Sequence, residues 1–281
     1  DSSGAFVVDA YPVSVHFDDV LLVLLAEIFV IEKLVREVHT LSVRKLTAGH
    51  DSANDIRALD ALDLEYYKTV VEEMPNSGYA ENALLAIESI YQTKDQPEEY
   101  ISYIENIGKG ASKTADEKEM MYFNSAEQLY LSANYQKALA SLQKYLEKYP
   151  SGKNAFKAEF YMAESYKGLG RPEQACDYYK KVIDGGTGSF VEMSMLNFSK
   201  ISYDLERWSD AFGGYASLYE SAQLENNKYT ALVGMMRSAY RGHEWAQAIK
   251  NADRVTADSR ADALVKREAD YVKAKSFLAT S

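Results

Sequence analysis

Alanine returns at Ala138, Ala175, Ala211 and Ala248, in steps of 37, 36 and 37 residues. An aromatic residue opens the same stretch at Tyr135, Trp208 and Trp245, and another follows at Tyr179 and Tyr215. Upstream, a second small residue recurs at Ala126 and Ala163. Further back, the segment from Ile90 aligns with the segment from Ser165 at an offset of 75, two periods, which places Tyr91 on Tyr166 and Pro97 on Pro172. The same offset carries Met74-Pro75-Asn76-Ser77 onto Tyr149-Pro150-Ser151-Gly152. A chain that keeps one spacing at so many positions is built from stacked copies of one unit.

The residue types say what that unit is. Phe160, Ala163 and Tyr166, then Ala175, Tyr178, Tyr179 and Val182, fall at helical spacing and give each of two helices an apolar face. Helices approach closely only where side chains are small, which accounts for alanine at the crossing points. The Tyr and Trp residues around them bury large areas and keep a polar tip for a partner. Gly168 and Gly170, or Ala133-Asn134, supply the turn between the two helices, and Pro75 and Pro150 end a second helix. One helical pair cannot bury its own apolar face, so neighbours must stack.

This unit resembles the tetratricopeptide repeat, whose small–aromatic–small–aromatic–Pro pattern is matched by Ala126, Leu129, Ala138, Leu142 and Pro150, and by Ala163, Tyr166, Ala175 and Tyr179. The period is about three residues longer than the usual ~34. The resemblance runs from about Leu62 to Ser281 and implies an all-α, right-handed superhelical solenoid of antiparallel helix pairs. The Tyr149-Pro150-Ser151-Gly152 junction is similar to repeats of bacterial cell-envelope proteins of the outer-membrane assembly lipoprotein and Tol–Pal types, which implies the periplasm or envelope, with the cytoplasm as the other option. Departures occur at Glu88 and Tyr100, where small residues are expected, and at Ser202-Tyr203. The last unit stops after one helix, Asp262–Leu278, whose charges mark it as a solvating cap at about 262–279.

The repeat register fails in residues 1–61. Ten of the eighteen valines but one of the twenty-two tyrosines lie in the first fifty residues, so that stretch is a different kind of sequence. It is expected to hold a helix over Asp18–Leu46, a loop at Gly49–Ser52 and a second helix over Asn54–Met74 with Ile56, Leu59, Leu62, Tyr66 and Val70 inward. An atypical first repeat or cap, a separate module, and a segment foreign to the rest all fit. The apolar run Val20–Ile31 is interrupted by Glu27 and is short of the ~20 residues a membrane span needs. No signal peptide is visible. The single cysteine, Cys176, rules out an intrachain disulfide.

A net charge of -11 argues against a nucleic-acid partner, since phosphate binding needs a concentrated excess of Lys and Arg. His16, His39, His50 and His243 share no metal-ligand spacing, and no metal or other cofactor is expected. The Gly185–Ser189 loop lacks the lysine of a phosphate-binding loop and reads as a helix terminator. Glu72-Glu73 and Glu98-Glu99 are sequence neighbours and diverge on a helix, so they are not an acid/base pair. Trp208 and Trp245 share the register of Tyr135 and are expected in the core. No nucleophile–base constellation is present, and an enzyme is not expected.

The resemblance places the first helix of each pair on the concave face. The outward rows are then Leu85, Phe123, Phe160, Leu196 and Val233; Ser89, Glu127, Glu164, Lys200 and Arg237; and Gln92, Tyr130, Lys167, Tyr203 and Tyr240. The expected function is a scaffold that binds a segment of another protein or peptide there. Phe123, Tyr130, Phe160, Tyr203 and Tyr240 would serve as anchors, and Lys200 and Arg237 would orient an acidic stretch. The Lys/Asn set of the chaperone-tail-binding members is absent. A glycan-binding helical protein of the envelope, with Trp or Tyr stacking on sugar rings, is the alternative.

Overall fold

The structure is a computed structural model that describes residues 53–186 and 189–280. The described residues form twelve α-helices and no strand: α1 (Ala53–Glu73), α2 (Gly78–Thr93), α3 (Pro97–Asn106), α4 (Ala115–Leu131), α5 (Tyr135–Lys148), α6 (Ala155–Gly168), α7 (Pro172–Gly185), α8 (Ser189–Asp204), α9 (Trp208–Ser221), α10 (Glu225–Arg241), α11 (Trp245–Ala257) and α12 (Ala263–Thr280). A 3-10 turn, Gly110–Ser112, separates α3 from α4. The expected helix over Asp18–Leu46 and loop at Gly49–Ser52 lie outside the described residues. On α1, Val70 is buried and Tyr66 half-buried. No helix among the described residues is long and apolar enough to cross a membrane. The chain divides into a unit ending at Ala83 and a second running from Leu84.

In the second unit each helix from α3 onward packs on the next, so neighbours in sequence are neighbours in space. The alanine row is the reason they can do so. Ala138, Ala175, Ala211 and Ala248 are all at 0% exposure, and Leu142, Tyr179 and Tyr215 close over them from one turn further on. First helices also touch the first helix of the next pair, α4 on α6, α6 on α8, α8 on α10 and α10 on α12. No two second helices pack to that extent, so the first-helix side of this unit is the tighter, inner one.

The turn inside each pair has its own repeat. Asp95, Ala133, Gly170, Glu206 and His243 all have φ between 57° and 67°, and each lies two residues before the second helix starts. The amide that follows each of them donates to a carbonyl five residues back, as from Asn134 to Leu129 (2.9 Å) and from Arg171 to Tyr166 (2.9 Å). This is a Schellman closure, in which a left-handed residue lets two orphan carbonyls of the first helix find donors. Between pairs, capping is more varied. Thr114 and Glu117 form a reciprocal capping box at α4. Asp262 accepts from the amides of Leu264 (2.8 Å) and Val265 (2.9 Å) at α12. At α7 the chain leaves the helix through Gly186 in an extended conformation (φ -115°, ψ 173°).

Candidate partner-binding groove

The inner side of the second unit is set by residues on α4, α6, α8, α10 and α12. In the N-terminal half of this row the polar groups are occupied with one another. The Glu127 carboxylate accepts from the Tyr161 hydroxyl (2.8 Å) and pairs with Lys157 (2.7 Å). The Glu164 carboxylate accepts from the Tyr179 hydroxyl, from Asn197 (3.0 Å) and from Lys167 (3.4 Å). Tyr130 is half-buried and stacks on Tyr161 with ring centroids 4.1 Å apart. Burial first, and the Glu164 charge second, push its phenol up to about 12.

Two expected anchors are not on this surface. Phe123 is 1% and Phe160 3% exposed. Phe123 is covered by the Tyr161 ring and met edge-on by Tyr145, at 6.2 and 5.5 Å. Phe160 is covered by Phe190 from the next first helix, at 5.0 Å. Both side chains are buried in the seam between successive first helices, so neither is presented to a partner. Trp208 and Trp245, expected in the core, are half-buried instead, each edge-on to a tyrosine of the same pair: Tyr203 at 4.9 Å and Tyr240 at 6.0 Å.

The C-terminal half is open. A cavity of about 450 Å³ lies among α8, α9, α10 and α12, and its walls include Lys200, Tyr203 and Arg237, three of the residues expected to bind. Tyr240 does not line it and faces Tyr271 of α12 at 6.3 Å. Tyr215, Tyr229 and Val233 give the cavity apolar and phenolic walls, and Asp204 adds one carboxylate. Gly234 makes the shape possible, because a Cβ there would sit 2.5 Å from the Tyr215 ring. Burial pushes the Tyr215 phenol up to about 12, with the Asp204 charge adding to it, so it stays a neutral hydrogen-bonding group.

The two cations differ. The Arg237 guanidinium donates through Nε (2.7 Å) and Nη2 (2.6 Å) to the two oxygens of Glu268 on α12. Lys200 is exposed and makes no ion pair among the described residues. The spacing of first-helix residues picks out Lys200, Tyr203 and Arg237. It misses Tyr215, on a second helix, and Glu268, one pair further on. The arrangement can hold an apolar or aromatic side chain against tyrosine rings and bring a carboxylate to the Lys200 ammonium. It has no metal-ligand cluster, since none occurs among the described residues.

Two segments, residues 121–152 and 157–184, match the family model of the tetratricopeptide repeat. They are the α4/α5 and α6/α7 pairs, and the remaining pairs of the second unit keep the same register. A TPR repeat-containing protein of Methanocaldococcus jannaschii is 31% identical over 91 residues, covering 31% of this chain and 28% of that protein's length. Among solved structures, pilF of Pseudomonas aeruginosa is 14% identical with a TM-score of 0.40, over 76% of this chain and 90% of its own. BtubC of P. vanneervenii is 14% identical with a TM-score of 0.41, over 80% and 92%. At those scores neither structure bears on what this chain does.

Proposed function

We propose that the chain is a protein-interaction scaffold whose second unit holds a segment of a partner against the inner face, at the Lys200–Tyr203–Arg237 cavity. The observation that carries this reading is the cavity itself. There an ammonium with no ion pair among the described residues, tyrosine rings and room for a side chain coincide. Tyrosines bury area at low entropic cost and dominate interface energetics. Lys200 selects a segment with an acidic residue beside its apolar anchor. An envelope location belongs to the same proposal and rests on the Tyr149-Pro150-Ser151-Gly152 junction; fractionation of the native protein checks it.

The test is a capture experiment from native-host extract with the wild type and a Lys200→Glu/Tyr203→Ala variant. Proteins retained by the wild type and lost from the variant, with helicity unchanged, are the expected result. If the variant retains them and Lys180→Glu on the second-helix side loses them, binding is on the outer face and the groove reading is wrong.

A further inference from the structure

On the other side of α10 lies a second cavity, of about 470 Å³, between the start of α9, the end of α10 and the start of α11. At this point of the repeat its side chains are smaller than those of the α6/α7 pair. In the α6/α7 pair, Tyr166 and Tyr178 stack on each other with centroids 5.4 Å apart. Seventy-three residues on, the same register positions hold Ala239 and Asn251. Ala239 lines the cavity, and the space a tyrosine would fill is left open.

We propose that this cavity receives a lysine or arginine side chain of a partner protein. Trp208 and Phe212 form its apolar wall, suited to the methylene stem of either residue. The charge at its rim is one carboxylate, Glu244, which makes no ion pair among the described residues, and no cation lines the cavity. Ser238 is 1% exposed, lines the cavity, and its Oγ has no hydrogen-bond partner. Gln247 adds an amide oxygen. The carboxylate of Glu244 only accepts, the serine hydroxyl and the glutamine amide can accept as well as donate, and an ammonium or guanidinium is a group of donors only. An aromatic wall attracts a cation further through its ring face. A carboxylate ligand finds only repulsion from Glu244. The net charge of -11 also draws cationic partners toward the chain. The site is separate from the inner groove, which favours an acid.

The test uses two-dimensional NMR of 15N-labelled protein, where Trp208 and Trp245 give the two indole N–H signals and Trp245→Phe assigns them. Titration with Nα-acetyl-lysine methylamide or Nα-acetyl-arginine methylamide is expected to shift the Trp208 signal saturably, and Nα-acetyl-norleucine methylamide is not. Glu244→Gln is expected to weaken the cation about tenfold, the loss of one charge-assisted hydrogen bond. Ala239→Tyr, which restores the ring present at Tyr166, is expected to abolish the shift. Lys200→Glu, in the other cavity, leaves it unchanged, so failure here is distinct from failure of the groove. The proposal is overturned if neither cation moves Trp208, if norleucine moves it equally, if Glu244→Gln binds as the wild type does, or if N-acetylglucosamine binds where the cations do not.

Discussion

Tyr145 is fully buried, and its hydroxyl donates to the Glu119 carboxylate at 2.8 Å while accepting the Asn154 amide at 3.2 Å. A tyrosine in a second helix thus ties down a first-helix carboxylate that is itself 9% exposed, together with the loop into the next pair. The loop comes this close because of Gly152, where a Cβ would stand 2.5 Å from Glu119 and 2.6 Å from the Tyr145 hydroxyl. Tyr145→Phe keeps the ring and removes the donor, leaving a buried carboxylate short of a partner. Urea unfolding is expected to show a loss of about 1–3 kcal/mol. Gly152→Ala is expected to be destabilising as well, because the carboxylate and the hydroxyl must part to admit the methyl. Cys176 is 2% exposed, and burial pushes its thiol up. It is expected to react with a thiol reagent at neutral pH at the rate of unfolding and no faster. The residue scale is also where sequence reasoning failed. Periodicity puts Phe123 and Phe160 on the first-helix row expected to meet a partner, and both are buried there. What covers them is Tyr161 and Phe190, from the next first helix, and a single-helix pattern carries no record of how closely successive first helices approach.

At the scale of the element, the recurring device is the left-handed closure of each first helix. Gly170 is the one glycine among the five positions, and the others hold Asp95, Ala133, Glu206 and His243 at φ near 58°. An L side chain in that conformation costs roughly 1 kcal/mol relative to glycine. Ala133→Gly and Glu206→Gly are therefore each expected to raise stability by up to about 1 kcal/mol in chemical denaturation, and Gly170→Ala to lower it by a similar amount. The turn was legible in the sequence as a place, from Gly168-Leu169-Gly170 and Ala133-Asn134. Its conformation was not, because glutamate and histidine are poor signals of a positive φ. Glu192 on α8 does a different job: it accepts from the amides of Gln223 (2.9 Å) and Leu224 (3.3 Å) and from Asn227 (2.6 Å), where α10 begins. Burial acts to raise its carboxyl, but these hydrogen bonds and the Lys228 charge outweigh it and hold the group below its ordinary value of 4.5. A depressed carboxylate contributes its stability above the unfolded value and loses it as pH falls through the folded one. Thermal unfolding followed between pH 7 and 3 is expected to show a smaller acid-induced drop for Glu192→Gln than for the wild type, the difference opening below about pH 4.5.

At the scale of the molecule, the repeat period was legible because stacked copies must meet through the same small and large positions, and the alanine row is buried throughout. The composition of the groove was only half legible. Lys200, Tyr203 and Arg237 lie on first-helix positions that a period can reach. Glu268 lies 31 residues beyond Arg237 on the single terminal helix, where no period predicts which acid will face which base. Arg237 gives Nε and one Nη2 donor to Glu268, whose side chain is 36% exposed, so the ion pair is worth ~1 kcal/mol at most. A partner carboxylate that reaches the cavity has Lys200 free and must compete with Glu268 for Arg237. Glu268→Gln removes the competing charge and leaves the shape of α12 unchanged. Binding of an acidic partner segment is then expected to tighten by up to about fivefold at low salt, and to fall more steeply with added salt than in the wild type, because two free cations now act on it. Arg237→Gln in the same assay should cost little in the wild type, where the guanidinium is engaged, and should cancel the gain in the Glu268→Gln background. Titration calorimetry of the four proteins at two salt concentrations measures the coupling. If Glu268→Gln binds no better than the wild type while Lys200→Glu still abolishes binding, the acidic group docks on Lys200 alone and the Arg237–Glu268 pair only fastens α12 to α10.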